Sequence, residues 1–155
     1  MSENVYWVLE LAINPGRFEE LKPLMAEMVE ATQREEPGAL GYEWAISNDR
    51  QVCHLQERYQ DSAAAMTHLQ SFGTNFAGRF MDVLKLTRCV VYGVPSAQVK
   101  EALAPFSPAY MAPLGALGAT TDGARTIAGP IANLRAGRTS ACCHRPARVR
   151  LPTTG

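Results

Sequence analysis

Residues 39–59, ALGYEWAISNDRQVCHLQERY, constrain the fold more than any other stretch of the chain. Apolar and polar residues alternate on both sides of Asn48-Asp49-Arg50, a cluster of turn formers, which predicts two antiparallel strands joined by a tight connection. With Asp49 and Arg50 as the loop, Ile46 faces Cys53, Trp44 faces Leu55 and Tyr42 faces Glu57. One face then carries Leu40, Tyr42, Trp44, Ile46, Cys53, Leu55, Glu57 and Tyr59. The other carries Glu43, Ala45, His54, Gln56 and Arg58. Glu57 is thus a lone carboxylate on an otherwise apolar and aromatic wall.

The flanking segments supply what such a hairpin needs to bury that wall. Residues 5–13, VYWVLELAI, read as a strand with Val5, Trp7, Leu9, Leu11 and Ile13 on one face. Asn14-Pro15-Gly16 is expected to cap a first helix with Pro15 in its opening turn, and Phe18, Leu21, Leu24 or Met25, Met28 and Thr32 recur at helical spacing up to EEPG. Pro23 inside that run predicts a bend. Asp61 or Ser62 opens a second helix whose stripe is Ala65, Leu69, Phe72, Phe76, Phe80 and Val83. His68, Phe72 and Arg79 lie along the border of that stripe, and Gly73-Thr74 is a place for it to break. A last strand (86–94) and a short capped helix, SAQVKEAL, follow. The order βαββαβ predicts an α+β, ferredoxin-like fold with two helices on one face of a four-stranded antiparallel sheet.

Charge divides the chain in two. Residues 1–114 hold nine Lys/Arg against fourteen Asp/Glu, whereas residues 115–155 hold six Arg against Asp122 alone. The later part has no aromatic residue and no Lys, so it is expected to be a disordered tail behind a domain spanning 1–114. Its Arg/Ala/Gly-rich texture also matches a non-native, frame-shifted extension; intact mass of the protein from its native source showing the full tail would refute that. No apolar run reaches bilayer length and the N-terminus lacks a leader pattern, so the expectations are a cytoplasmic protein and no membrane partner. Cys53 and Cys89 sit in strand-like apolar runs and are expected to be buried thiols. Cys142-Cys143-His144 lacks the ligand spacing of a zinc site. The tail's arginines have no aromatic residues among them to stack bases, so no nucleic-acid partner is expected.

The strand followed by PGRFEELKPLM, then EEPGALGYEWAIS, ERYQDSAAAMTHLQSFGTNF, VVYGVPS and PAYMAPLG, in that order over residues 5–113, resembles the antibiotic biosynthesis monooxygenase family. The resemblance implies a dimeric α+β barrel, with a homodimer formed by packing sheets and a pocket between sheet and helices in each subunit. Activities in that family include cofactor-free oxygenation of anthrones and quinols, and haem degradation. Haem-degrading members place an Asn, a Trp and an iron-ligating His at positions that fall near Leu9, at His68 and near Gly78 here. Without the Asn and the His, no haem cofactor is expected. His68 matches a helix position at which oxygenating members also carry a functional side chain.

Oxygenation without metal or flavin needs a substrate that supplies its own electrons once deprotonated. The protein must bind a flat ring, hold a base near the acidic hydrogen and stabilise the oxyanion. Glu57 is the candidate base, its pKa expected to be raised by desolvation, with Tyr59 and His68 orienting it or donating to the oxyanion. Trp7, Trp44, Phe72, Phe76 and Phe80, with Arg79, are the candidate substrate-binding residues. The same Glu, Tyr and His can equally form a satisfied polar network that sets sheet register. A non-catalytic dimer that binds an aromatic metabolite, or serves in a stress response, is the alternative to an enzyme using an aromatic substrate and O2.

Overall fold

The computed structural model describes residues 3–119 and 125–128. Its strands and helices run β1 (Val5–Ile13), α1 (Phe18–Glu35), β2 (Ala39–Ile46), β3 (Val52–Tyr59), α2 (Ser62–Asn75), α3 (Ala77–Val83), β4 (Leu84–Tyr92), α4 (Ala97–Leu103) and β5 (Ala109–Met111). The sheet order is β2-β3-β1-β4-β5. Its first four strands pair antiparallel, and β5 adds a short parallel edge to β4 at Val90–Tyr92. This is the ferredoxin-like α+β arrangement extended by one strand. Three residues are too few to show a period of two, which is why β5 leaves no trace in the sequence pattern.

The hairpin register agrees with the alternation: Tyr42 pairs with Glu57, Trp44 with Leu55 and Ile46 with Cys53. Ser47 closes the turn, its backbone N–H donating to the Val52 carbonyl while Arg50 adopts a positive φ of 59°. Leu40 departs from the expected inward face. A bulge shifts the register between Ala39 and Gly41, and Leu40 is left 53% exposed. The extra residue reverses the facing of what precedes it.

Asn14-Pro15-Gly16 forms a turn before α1 rather than its first turn. Gly16 takes a φ of +78°, the Arg17 N–H bonds the Asn14 carbonyl, and the helix begins at Phe18. Leu21, Leu24, Met28 and Thr32 face inward at the predicted spacing, and Pro23 lies within α1 without ending it. The second helical segment does break, at Phe76, three residues beyond Gly73. Asp61 caps α2 by accepting from the Ala64 N–H at 2.8 Å.

Buried side chains form two adjoining groups under the sheet. Leu11, Ile13, Leu21, Leu24 and Phe80 make up one, and Val5, Trp7, Tyr59, Val99 and Leu103 the other. Cys53 and Cys89 are buried free thiols, and burial pushes each up to about 11. Contacts group Met1–Pro113 apart from Leu114–Gly155. Of the segment expected to be a disordered tail, Ala116–Ala119 and Arg125–Ala128 pair as antiparallel strands, and residues 120–124 and 129–155, with Cys142-Cys143-His144, lie outside the described residues. Among the described residues no helix is long and apolar enough to cross a membrane.

Candidate functional site

Four polar side chains meet where the two buried groups adjoin. Glu57 (4% exposed) and Tyr59 (0%) come from β3, His68 (5%) from α2, and Glu36 (7%) from the residue that ends α1. The Tyr59 hydroxyl donates to Glu57 Oε2 at 2.6 Å, and His68 Nε2 lies 3.1 Å from the same oxygen. On the opposite edge of the ring, His68 Nδ1 lies 2.8 Å from Glu36 Oε2. Tyr59 and His68 therefore approach the same carboxylate oxygen, Oε2.

Local sequence explains each placement. Glu57 and Tyr59 are two apart on one strand and so share a face. Asp61 starts α2 immediately after β3, which brings His68 back over that face two turns later. Pro37 disfavours a helical conformation at Glu36, whose φ and ψ of −123° and 75° carry it off the helix. Gly38 then lets α2 come close, since a Cβ there would stand 2.5 Å from Ala64 Cβ.

Burial by itself would push the His68 imidazole down, because the desolvated cation loses its hydration. The charge of Glu57, the hydrogen bonds His68 donates to Glu36 and Glu57 and the charge of Glu36 outweigh it, and His68 is raised to about 10. Tyr59 is pushed well above the ordinary phenol value by burial, then by the charge of Glu57 and the bond to it. Tyr42 is raised too, by burial first and then by the charges of Glu57 and Glu36. Its ring centroid lies 5.5 Å from that of His68. The Tyr42 hydroxyl and the Trp44 indole N–H are buried without a hydrogen-bond partner among the described residues. That costs on the order of 1–3 kcal/mol apiece unless an acceptor meets them.

A cavity of about 30 Å³ abuts Glu57 and His68, walled by Trp7, Phe72, Phe80, Leu69, Leu103 and Phe106. It has room for one or two water molecules, not for an aromatic ring. Phe72 and Phe80 meet edge to face at 5.2 Å in its wall.

Of the residues predicted from sequence, Glu57, Tyr59 and His68 come together, and Trp7, Phe72 and Phe80 line the cavity. Trp44 does not line it, although it packs on Phe80 at 6.2 Å. Phe76 and Arg79 are not brought to it either. Arg79 lies over the Phe76 ring and pairs with Glu27 of α1 at 2.6 Å, both side chains 53% exposed. The break at Phe76 gives α3 its own direction, so a border drawn through one continuous helix does not reach Arg79. Glu36 and Tyr42 were missed as site residues. A Glu before Pro at a helix end was the available signal for the first, and the cross-strand pairing with Glu57 for the second.

Metal coordination does not suit the cluster. The two nitrogens of one imidazole point apart, so Glu36 and Glu57 sit on opposite sides of the ring, and no group of three ligating side chains converges among the described residues.

Residues 4–73 match the family described as Antibiotic biosynthesis monooxygenase. Among solved structures the chain is similar to MupZ from Pseudomonas fluorescens, with 18% identity and a TM-score of 0.65, covering 75% of this chain and 94% of that one. A conserved protein from Methanosarcina mazei Go1 shares 17% identity at a TM-score of 0.53, covering 59% and 92%. A conserved protein of unknown function from Bacteroides thetaiotaomicron VPI-5482 shares 14% at 0.51, covering 59% and 97%. At these identities the likeness concerns the fold alone. No curated protein matches the chain.

Proposed function

We propose that this domain, residues 1–114, is a cofactor-independent monooxygenase that oxidises an aromatic quinol, anthrone or polyphenol with O2. The observation that carries the reading is the buried Glu57, held by Tyr59 and His68 against an aromatic-lined cavity. The Glu57 carboxylate takes the acidic hydrogen of the substrate. The resulting anion passes an electron to O2, and the two radicals combine at carbon. Loss of water from the peroxide leaves one oxygen atom in the product as a carbonyl, which balances an anthrone and O2 against a quinone and water. His68, as an imidazolium, supplies the positive charge that offsets the developing oxyanion.

The size of the cavity adds a requirement. A ring enters only if the walls part, and Met81, 44% exposed and part of the lining, is the side chain best placed to yield. The opposite sheet face leaves Tyr6 40% and Val52 39% exposed. It is the surface through which we place the homodimer, to be checked by sedimentation.

Metal-free protein is expected to consume O2 in the presence of hydroquinones or anthrones. Unchanged rates in Glu57→Gln and His68→Ala would reject the assignment. Ligand-dependent thermal shifts without O2 consumption would instead favour a protein that binds an aromatic metabolite without chemistry.

A further inference from the structure

Glu36 has no part in the proton abstraction just described, yet it is the second buried carboxylate within hydrogen-bond reach of His68. Each contact of the ring, Nδ1 to Glu36 at 2.8 Å and Nε2 to Glu57 at 3.1 Å, joins a nitrogen to a carboxylate oxygen. An ionised carboxylate only accepts, so both contacts are hydrogen bonds only when both ring nitrogens carry hydrogen. A neutral imidazole would turn one lone pair towards a carboxylate oxygen, a repulsion at that distance. Tyr59 already donates to Glu57 Oε2, so that oxygen is an acceptor twice over.

We infer that Glu36 is a positioning residue: by binding Nδ1–H it fixes the plane of the His68 ring, aims Nε2–H at Glu57 Oε2 and makes the imidazolium the resting form of the site. The catalytic half of this inference rests on the function proposed above; the charge state of His68 does not. The pair spans α1 and α2, so Glu36 also sets how deeply the ring sits behind Phe72, whose ring centroid is 6.5 Å away and nearly parallel. Of the titratable groups around His68, Glu57 and Tyr59 face it from β3 and Tyr42 from β2, while Glu36 faces it from the end of α1. Cys89 on β4 is raised by burial and then by the charge of Glu57. None of these supplies a competing cation. Burial disfavours the imidazolium, so its persistence depends on both carboxylates, and removing either should release the proton at lower pH.

The test is the titration of His68 in full-length protein by imidazole nitrogen NMR, with the resonance assigned by its loss in His68→Gln. Wild-type His68 is expected to show two protonated nitrogens at about pH 7.5, and Glu36→Gln to lower its titration midpoint by about one unit or more. A smaller shift in folded Glu36→Gln overturns the inference. If that variant does not fold, wild-type protein decides alone, since a neutral ring at about pH 7.5 has the same force. With anthrone as probe, Glu36→Gln should lower kcat about tenfold or more at little-changed KM, and Glu36→Asp should restore part of the loss. An unchanged kcat despite a moved titration overturns the positioning role. The titration needs no substrate, so a wild-type protein that oxidises no probe counts against the functional reading alone.

Discussion

Two ion pairs connect the first helical arm to the second, and they differ in almost everything except length. Glu36 meets His68 at 2.8 Å with both side chains 6% exposed; Glu27 meets Arg79 at 2.6 Å with both 53% exposed. At the surface, water screens the charges and would solvate either partner alone, so the pair adds little. In the interior each group depends on the other, and removing one leaves an uncompensated buried charge. A short distance therefore says little about what a contact does. Burial makes the inner pair a determinant of charge state, while the outer pair is an incidental contact between solvated arms.

The largest expected difference between the two regions is in activity. Glu57→Gln removes the proposed base and should lower the oxidation rate by about 100- to 10,000-fold. Glu27→Gln, which breaks only the outer pair, should leave it within about twofold. Steady-state O2 uptake on the two variants checks this, and equal losses would erase the distinction.

Stability should separate the regions next. Glu36→Ala leaves His68 facing one carboxylate instead of two and opens space at the end of α1, and should cost about 3–5 kcal/mol in urea unfolding. The pH dependence gives the same contrast a sign. His68 in the folded chain is raised to about 10, above an ordinary value of about 6.5. The folded state binds its proton more tightly than the unfolded state, so this contribution is complete below about pH 6.5 and disappears as pH rises towards 10. Other groups titrate in that window, so the informative quantity is the difference between wild type and Glu36→Gln. That difference should hold up to the lowered His68 midpoint of Glu36→Gln and shrink from there to about pH 10 and above. A constant difference would mean that Glu36 acts through packing alone.

How far the sequence disclosed each region follows from how its residues are held. Glu57 was legible because a period of two has one parity, and the Asn48-Asp49-Arg50 turn set that parity for every inward side chain from Tyr42 to Tyr59. Leu40 lies past a bulge, where parity counts one residue too many. His68 was legible because it lies in the unbroken part of α2; Phe76 keeps its buried place on the stripe but, like Arg79, does not reach the cavity, because the break between helices cannot be phased from spacing. Glu36 was invisible to both periods, belonging to neither helix nor strand. Its inward turn comes from the following proline, a steric effect on one residue that no repeating pattern records.

The smallest expected effect tests the outer pair alone. Glu27→Gln removes its charge while leaving Arg79 over the Phe76 ring at 5.5 Å, so any change reports the ion pair and not the uncovering of an aromatic. Glu27 is held below the usual carboxylate value by its hydrogen bond to Arg79, against a small opposing effect of burial. In that direction a carboxylate contributes stability above its unfolded pKa and loses it as pH falls through its lower folded value. The exposed geometry keeps the contribution small, and salt should screen it. The melting temperature of Glu27→Gln at neutral pH is expected within about 2 °C of wild type, the gap closing further in about 0.5 M salt. A larger shift that survives salt would mean that α1 and α3 depend on this contact as α1 and α2 depend on Glu36.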